Sequence, residues 1–280
     1  MKGIYIPIIN IITGFMVMAA SFGCCPIDKP EDDCVDAGKS RKVLLLYSAG
    51  YNSLRNYLLD DINDLKQGWL PSKGCDDDVL LVYTHTPKFY SAYSTPTTPY
   101  LIRLSRDGSG NTVCDTLKRY DENTISSSAA QLNEVLTYIK DNYAARSYGM
   151  IFSSHATGYL PAGFYSNPDG YVFSETGMMK ARGISKPKAV PYIEPEYDPS
   201  LPMVKSIGQD VTGPASDRQS YEMDLPDFAE AIPMKLDYIF FDACLMGGIE
   251  VAYELREKCS KVGIYQAEVL AEGLDYKTLP

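Results

Sequence analysis

The sequence predicts an α/β protein whose mostly parallel sheet is covered by helices on both faces. Three observations support this fold class. Short apolar runs of strand length recur along the chain, and stretches with helical spacing lie between them. The runs are apolar throughout, as in strands that are buried on both faces. The chain also has 280 residues, of which 45% are hydrophobic, which is enough for a core that needs no disulfide or metal.

The first half of the chain combines parallel strands with one antiparallel excursion. Apolar runs that end in small or polar residues indicate buried strands, and apolar residues at helical spacing indicate the helix between them. Gly68 can end that helix. Two apolar segments on either side of Asp107-Gly108-Ser109-Gly110 are typical of a β-hairpin. The predicted elements are strand 42–47, helix 53–67, strand 79–84 and a hairpin within 98–122.

The second half resumes this alternation after a long interruption. Residues 156–222 are rich in proline, glycine and serine and show little periodicity, which predicts a long loop of functional importance. A helix with a cap at Ser126–Ser128 precedes the interruption. The other predicted elements are strand 148–152, helix 224–234, strand 236–241, an amphipathic helix over 247–258 and a strand that begins at 262–265.

Charge and scarce residue types narrow the chemistry. A balance of 26 Lys and Arg against 36 Asp and Glu gives a net charge of −10. This argues against a nucleic-acid partner, because phosphate neutralisation needs clustered cations. The two histidines are His85 and His155, so imidazole chemistry must use one of them. The seven cysteines form no repeated CxxC spacing and the acidic residues form no EF-hand loop, so we expect no metal site.

The N-terminus is typical of an export signal. No charge occurs between Gly3 and Ile27, and the run from Ile4 to Phe22 is apolar enough for the hydrophobic region of a secretory signal. A small residue directly precedes Cys24, which resembles a relaxed bacterial lipobox in which Cys24 becomes the lipidated mature N-terminus. An ordinary cleaved signal and an uncleaved anchor helix remain alternatives, since about 20 apolar residues also span a bilayer.

This pattern predicts a domain plan and a location. We expect a lipoprotein signal over 1–23, an acidic, proline-bearing tether over 24–40 and one α/β domain over 41–280. The protein would be exported to the outer membrane or cell surface of a bacterium and held there by its lipid anchor, or be periplasmic or secreted. We expect it to be a monomer.

His155 and Cys244 occupy equivalent places in the predicted sheet. Each lies just beyond the carboxyl end of a predicted strand, where ligand crevices form in open parallel sheets. If the two strands are neighbours, both side chains project into one crevice, and a thiolate nucleophile needs such a nearby imidazole. The alternatives are a satisfied polar residue for His155 and a buried core cysteine for Cys244. Asp242 before the cysteine and two glycines after it favour a site whose backbone amides face an oxyanion.

These residues carry a family resemblance. A hydrophobic block that ends in His155 and a second that ends in Asp242-Ala243-Cys244 resemble the paired signature of caspase-like cysteine peptidases. The string from Phe240 to Leu255 and the segment Ser153–Pro161 are similar to the clostripain family in particular. The resemblance implies a caspase-like three-layer sandwich with a long loop insertion between the histidine and the cysteine. It also implies a peptidase domain over 41–280 and cleavage of protein or peptide substrates after Arg or Lys.

The resemblance assigns roles to four positions. Cys244 attacks the scissile carbonyl and His155 moves the proton, and no third, acidic member is evident, so a dyad is expected. Backbone N–H groups of Ala156 and Cys244 would hold the oxyanion. Ala156 departs from the glycine that usually follows the histidine, and a residue with a Cβ would be strained if that position required a positive φ. Asp242 lies two residues before the nucleophile and would face a cationic P1 side chain.

Two further candidates depend on the family pattern. Glu272 follows the predicted last strand, where the family's pocket wall would fall, and we expect it to assist Asp242. A structural role for Asp242 and a solvated position for Glu272 are the alternatives. Family members often activate themselves by cleavage between the histidine and the cysteine. Among the basic residues of the loop, Lys180 has small neighbours and is the expected cleavage site.

Some expectations concern what the protein lacks or leaves open. We expect no cofactor and no obligatory metal, although some family members respond to calcium. A non-catalytic surface lipoprotein that binds basic peptides is the first competing function. A small-molecule-binding α/β protein is the second, but Ser48–Ser53 matches no Gly-rich phosphate loop. The sequence stops at Pro280, soon after the last predicted strand, whereas clostripain relatives usually continue, so a C-terminally truncated peptidase is also an expectation.

Overall fold

A computed structural model of the protein describes residues 40–74, 77–158, 171–173, 179–181 and 207–279. The predicted signal, Cys24 and the tether up to residue 39 lie outside the described residues, as do Cys34 and Cys75. Among the helices described, none combines the length and the apolar character needed to span a bilayer.

Within the described residues, seven of the strands form one central sheet, and four helices accompany them. The bounds are β1 Lys42–Ala49, α1 Arg55–Gln67, β2 Val79–His85, β3 Tyr100–Arg106, β4 Thr112–Arg119, α2 Ala129–Asn142, β5 Ser147–Ser153, β6 Tyr171–Phe173, β7 Met179–Ala181, β8 Asp210–Thr212, β9 Gln219–Tyr221, α3 Leu225–Glu230, β10 Tyr238–Asp242, α4 Ile249–Glu254 and β11 Val262–Gly263.

The order of strands in the large sheet is β11-β10-β5-β1-β2-β3-β4. The pairs β10–β11, β5–β10, β1–β5 and β1–β2 are parallel, whereas β3 and β4 add an antiparallel edge. The predicted hairpin therefore extends the sheet. Since the pairs along the middle are parallel, the carboxyl ends of β10, β5, β1 and β2 meet at one edge of the sheet, which is where ligand crevices form in such sheets.

Alternating residues of the central strand bind the two helical layers to the sheet. Leu45 and Tyr47 of β1 belong to a core cluster that includes apolar residues of α2, α3 and α4. Leu46 belongs to a second cluster on the other face, where Ile62 and Leu65 of α1 pack. Burial of each such side chain stabilises the folded state by roughly 1.5–3 kcal/mol. The predicted mostly parallel sheet with helices on both faces is thus confirmed.

The C-terminal elements are shorter than the sequence predicts. Helix α4 ends at Glu254, whereas helical spacing predicted a helix to residue 258. Two of the residues that gave this segment its helical spacing are exposed, Ile249 at 77% and Tyr253 at 63%, while Val251 and Leu255 are buried. Helix α3 is likewise limited to Leu225–Glu230, and β11 covers two residues. Residues 264–279 form no further helix or strand and include several turns and bends.

The predicted long loop over 156–222 is not wholly irregular where the structure describes it. Strands β6 and β7 pair antiparallel, and so do β8 and β9. Asp210 of β8 is fully buried, and its carboxylate accepts hydrogen bonds from the backbone N–H of Ser126 (2.6 Å) and of Ser127 (3.2 Å) at the residues that precede α2. The end of the loop is therefore anchored in the core, beside the segment that carries His155.

Candidate functional site

The structure places His155 and Cys244 beyond the carboxyl ends of two adjacent strands. Asp242, the last residue of β10, is paired in parallel register with Ser153, the last residue of β5. His155 and Cys244 each follow two residues later, so the condition for a shared crevice, that their strands be neighbours, is met. Both side chains are buried, with His155 4% exposed and Cys244 fully covered.

The loops that follow the two residues are in main-chain contact. Gly158 has a φ of +72°, and a Cβ at that position would lie 2.3 Å from the carbonyl oxygen of Leu245. Leu245, directly after the cysteine, has a φ of +59°. Non-glycine residues rarely adopt this conformation, and its strain of about 1–3 kcal/mol is found mostly at functional sites. The backbone beyond His155 and the backbone beyond Cys244 thus approach as closely as a glycine permits.

A hydrogen-bond network fixes the backbone around His155. The carbonyl oxygen of His155 accepts from the N–H of Gly208 at 2.8 Å. The hydroxyl of Ser154 donates to the carbonyl oxygen of Ala49 at 2.7 Å and accepts from the N–H of Gln209 at 3.2 Å. The histidine segment is therefore held both by the end of β1 and by the residues that precede β8.

The turn after β1 contacts the imidazole itself. The Ser53 hydroxyl oxygen lies 2.9 Å from Nε2 of His155, and Ser53 is 7% exposed. Nothing in the sequence singles out this residue, because a serine just before a helix is typical of a helix cap. The available signal is topological: Ser53 follows the carboxyl end of a strand that lies next to the histidine strand in a parallel sheet.

A C-terminal segment covers the Cys244 thiol. Residues 265–270, here called the covering segment, run antiparallel to the backbone from 244 to 247: Leu245 N–H donates to Ala267 and Gly247 N–H to Tyr265. The N–H of Val269 donates to the Cys244 Sγ at 3.0 Å, and the Val269 carbonyl oxygen lies 3.5 Å from that sulfur. Main-chain atoms of the covering segment therefore lie directly against the thiol.

Asp242 is sealed from solvent by the same part of the chain. Its Oδ2 accepts hydrogen bonds from the Ser153 hydroxyl at 2.8 Å and from the Tyr276 hydroxyl at 2.9 Å. Burial, followed by the nearby Asp242 charge, raises the pKa of Tyr276 well above its ordinary value, so the phenol stays protonated and remains a donor. A Cβ at Gly273 would lie 2.6 Å from Oδ2. In this arrangement Asp242 has the structural role that the sequence left open.

The remaining predicted site residues have mixed surroundings. Ala156 is 1% exposed and is not among the non-glycine residues with positive φ, so its Cβ imposes no backbone strain. Glu272 is exposed, although the adjacent Gly273 packs on Asp242. Lys180 lies in β7, within the hairpin that it forms with β6. Cys24 lies outside the described residues.

The other histidine and Cys259 lie in the core. His85 is buried, and its Nδ1 lies 2.7 Å from the Ser126 hydroxyl, which indicates a packing role. Cys259 is 4% exposed, and burial raises the pKa of its thiol. Cys114 lies half-buried in β4. Over the described ranges, no group of three or more His, Cys, Asp or Glu side chains could hold a metal ion. The metal-independence of the protein stays a prediction.

Comparisons with known proteins identify the family and similar folds. A sequence profile described as the clostripain family matches residues 46–173 and 196–280. A secreted C11 cysteine protease from Bacteroides thetaiotaomicron, solved with an irreversible peptide inhibitor, is 28% identical with a TM-score of 0.57, over 85% of this chain and 52% of that one. An inactive zymogen C11 protease from Parabacteroides distasonis is 24% identical with a TM-score of 0.58, over 86% of this chain and 52% of that one.

These likenesses bear on the fold and on the extent of the chain. The shared architecture confirms the predicted caspase-like arrangement of a mostly parallel sheet between helical layers. The chain spans about half the length of both solved proteases. No curated protein matches it.

Proposed function

The chain belongs to the clostripain family, and on that premise we propose that it is a cysteine endopeptidase that cleaves peptide bonds after Arg or Lys. Cys244 is the nucleophile and His155 is the base. The observation that carries this proposal is the main-chain contact between Gly158 and Leu245, which brings together the loops that bear the two residues. The strand register of β5 and β10 independently places both residues at the same sheet edge.

The chemistry follows from this arrangement. The thiolate of Cys244 attacks the scissile carbonyl carbon, and the carbonyl π electrons move to the oxygen. Backbone N–H groups of Ala156 and Cys244 stabilise that oxyanion, and one such donor is worth about 3–4 kcal/mol of transition-state energy. The proton taken from the thiol passes from His155 to the leaving amine as the C–N bond breaks. Water then hydrolyses the acyl-enzyme by the same route.

Access to the thiol requires a rearrangement of the covering segment. Val269 donates its N–H to Sγ, and Cys244 is fully covered, so no substrate carbonyl can reach the sulfur in this conformation. The described conformation is therefore a closed form, and the active form is one in which residues 265–270 have moved away. Substrate backbone can then occupy the same channel next to residues 244–247.

Specificity for a basic residue rests on Asp242, with Glu272 at the rim. In the closed form the Tyr276 hydroxyl donates to the Asp242 carboxylate. A guanidinium or ammonium group can replace that donor, because it offers a charge-assisted hydrogen bond in place of a neutral one. Since Gly273 and Tyr276 belong to the same C-terminal stretch as the covering segment, one movement frees both the nucleophile and the specificity carboxylate.

Hydrolysis of fluorogenic peptides tests the endopeptidase directly. Peptides that end in Arg or Lys should be cleaved by the wild type and not by Cys244→Ala. A matched peptide with norleucine at P1 should be cleaved by the wild type at least about 100-fold more slowly, because it lacks the charge that pairs with Asp242. The assay is run with and without calcium. Equal hydrolysis by wild type and Cys244→Ala refutes the assigned nucleophile.

Self-cleavage after Lys180 is part of the proposal. Its support is chemical, since the bond lies between the histidine and the cysteine and follows a basic residue. Gel analysis of wild type against Cys244→Ala should show two fragments in the wild type alone, with Ala181 as the new N-terminus. Lys180→Gln should remain intact. Equal fragmentation of wild type and Cys244→Ala contradicts self-cleavage.

Export as a lipoprotein completes the proposal. Cys24 would carry the lipid and residues 24–40 would tether a monomeric domain to a bacterial surface. One of the similar solved proteases is described as secreted. Mass spectrometry of the N-terminal peptide and membrane fractionation of Cys24→Ser against wild type test this placement, and a soluble wild-type protein without lipid overturns it.

A non-catalytic binder of basic peptides is the second candidate. The complete burial of the Cys244 thiol favours it, because a covered thiol cannot attack. In that case, wild type and Cys244→Ala would bind an Arg-terminated peptide equally in calorimetry, and neither would hydrolyse it. Hydrolysis by the wild type alone excludes this candidate.

A further inference from the structure

We propose that Ser53 is a positioning residue for His155. Its hydroxyl holds Nε2 of the imidazole and so leaves Nδ1 to exchange the proton with Cys244. This inference rests on the proposed function, because that function makes His155 the base. The catalytic pair remains Cys244 and His155, and the neutral Ser53 side chain is added as a third group that orients the base.

The contact is short and sheltered from water. The Ser53 Oγ and the His155 Nε2 are 2.9 Å apart, and both residues are at most 7% exposed. Protected from solvent, such a bond orients the ring more firmly than it would at the surface.

The turn that presents Ser53 has little freedom to move. Asn52 is fully buried, and its side-chain amide donates to the carbonyl oxygens of Ala49 at 2.9 Å and Gln209 at 2.8 Å. Its Oδ1 accepts from the N–H of Leu54 at 2.8 Å, so bonds on both sides of Ser53 fix the backbone. Gly50 lets the turn pack closely on its neighbours, because a Cβ there would lie 2.8 Å from Leu58 Cδ1, and the Gly50 N–H donates to the His85 carbonyl oxygen at 2.9 Å.

The hydroxyl suits both protonation states of the base. In the neutral imidazole that can accept a proton at Nδ1, Nε2 carries its hydrogen and donates it to Ser53 Oγ. When the thiol proton moves to Nδ1, the imidazolium still donates from Nε2 to the same oxygen. Nδ1 later returns its proton to the leaving amine. The Ser53 bond therefore persists through the cycle and fixes the tautomer, as carboxylate or carbonyl partners do for other histidines.

Because Ser53 is a neutral partner of His155, its contribution to the catalytic rate should be moderate. Removing a group that orients a functional histidine costs about 10- to 100-fold, and a hydroxyl lies at the lower end because it adds no charge. We expect Ser53→Ala to reduce kcat about 10-fold with KM unchanged, because substrate contacts are unaffected. Ser53→Thr, which keeps the hydroxyl, should restore most of the rate.

The decisive test does not depend on peptide hydrolysis. The rate at which iodoacetamide alkylates Cys244 at neutral pH reports its thiolate fraction, and mass spectrometry of digests measures it separately from that of the buried Cys259. The four proteins are wild type, Ser53→Ala, His155→Gln and the double variant. Movement of the covering segment enters all four rates alike and cancels in their ratios. Ser105→Ala, a buried serine in β3, is the matched control.

The double-mutant cycle distinguishes a Ser53 that acts through His155 from a Ser53 that has only a structural role. If Ser53 acts through His155, Ser53→Ala slows alkylation about 10-fold in the wild-type background and has no effect beside His155→Gln. Equal slowing in both backgrounds, or none in either, overturns the proposal, as does a wild-type rate in Ser53→Ala with the same thermal stability. A wild type that hydrolyses no peptide would refute the endopeptidase and leave this cycle interpretable, so the two failures are distinguishable.

Discussion

Replacing Gly273 by alanine should open the closed site. Gly273 has a φ of +65°, and a Cβ would lie 2.6 Å from Oδ2 and 2.8 Å from Oδ1 of Asp242. That carboxylate cannot simply turn aside, because it is fully buried and bonded to Ser153 and Tyr276. The added methyl group therefore acts on the contact that holds residues 271–276 against the Asp242 carboxylate.

The size of the effect follows from two costs. An alanine in the left-handed region costs about 1 kcal/mol relative to glycine, and overpacking against a held group costs at least about 1 kcal/mol more. Both costs apply to the closed form and vanish when the segment moves away. A total of about 2 kcal/mol raises the open population about 30-fold, since 1.4 kcal/mol corresponds to a factor of ten.

Alkylation of Cys244 measures the open population. Iodoacetamide reaches the sulfur only when the covering segment has moved, so Gly273→Ala should be alkylated about 30-fold faster than wild type. Gly110→Ala is the matched control, because Gly110 has a φ of +82° and an added Cβ meets nothing within 4 Å. It carries the same backbone cost without the contact. Cys259, buried in the core, reports global unfolding in the same digest.

Two results would refute this reasoning. An unchanged Cys244 rate in Gly273→Ala would mean that Gly273 does not control access to the thiol. A rise that is matched by Cys259, or by Gly110→Ala, would mean that alanine loosens the whole domain and not the closed site. Selective acceleration at Cys244 alone is the expected outcome.

Three further predictions test the site and its support. Asp242→Asn keeps the acceptor for Tyr276 but loses the charge-assisted contact with substrate. It should therefore lower kcat/KM for Arg and Lys peptides about 100-fold. An equal loss with a norleucine peptide would contradict a P1 role. Gly158→Ala should abolish hydrolysis and lower the free energy of unfolding by at least about 2 kcal/mol in urea titrations, because its Cβ meets the Leu245 carbonyl; a wild-type titration would contradict this. Ser128→Ala should lower the free energy of unfolding by about 1 kcal/mol, because the Ser128 hydroxyl accepts from Gln131 N–H at the start of α2. The rate at which Cys244 is alkylated should be the same in this variant as in the wild type.

The sequence alone was sufficient to predict the elements that bury a continuous apolar run. Strands β1, β2 and β5 were predicted within about two residues at each end, because local spacing specifies them. The predicted cap region at Ser126–Ser128 contains the residue that caps α2, Ser128. The pairing of β5 with β10 was only a condition for bringing His155 and Cys244 together, and the structure meets that condition. Where long-range contacts decide, local spacing failed: Ile249 and Tyr253 show helical spacing, but the face they share is exposed in the described chain.

The parts of the site that the sequence missed depend on distant contacts. Ser53 and His155 are 102 residues apart, and no local pattern links a serine at a helix start to a histidine beyond another strand. Val269 acts through its backbone N–H, which any residue except proline supplies, so its identity carries no signal. Tyr276 lies in a stretch without periodicity, where its bond to Asp242 could be found only from the fold.

The position of β10 has a consequence for refolding. This strand lies between β5 and β11, so a cut after Lys180 would leave the inner sheet assembled from two separate polypeptides. The uncut chain closes the pairing of β5 with β10 within one molecule, at an entropic cost that depends weakly on loop length. Once cut and denatured, the two fragments must find each other by diffusion. Recovery would become second order and dilution would suppress it, whereas uncut Cys244→Ala would refold at a rate independent of concentration.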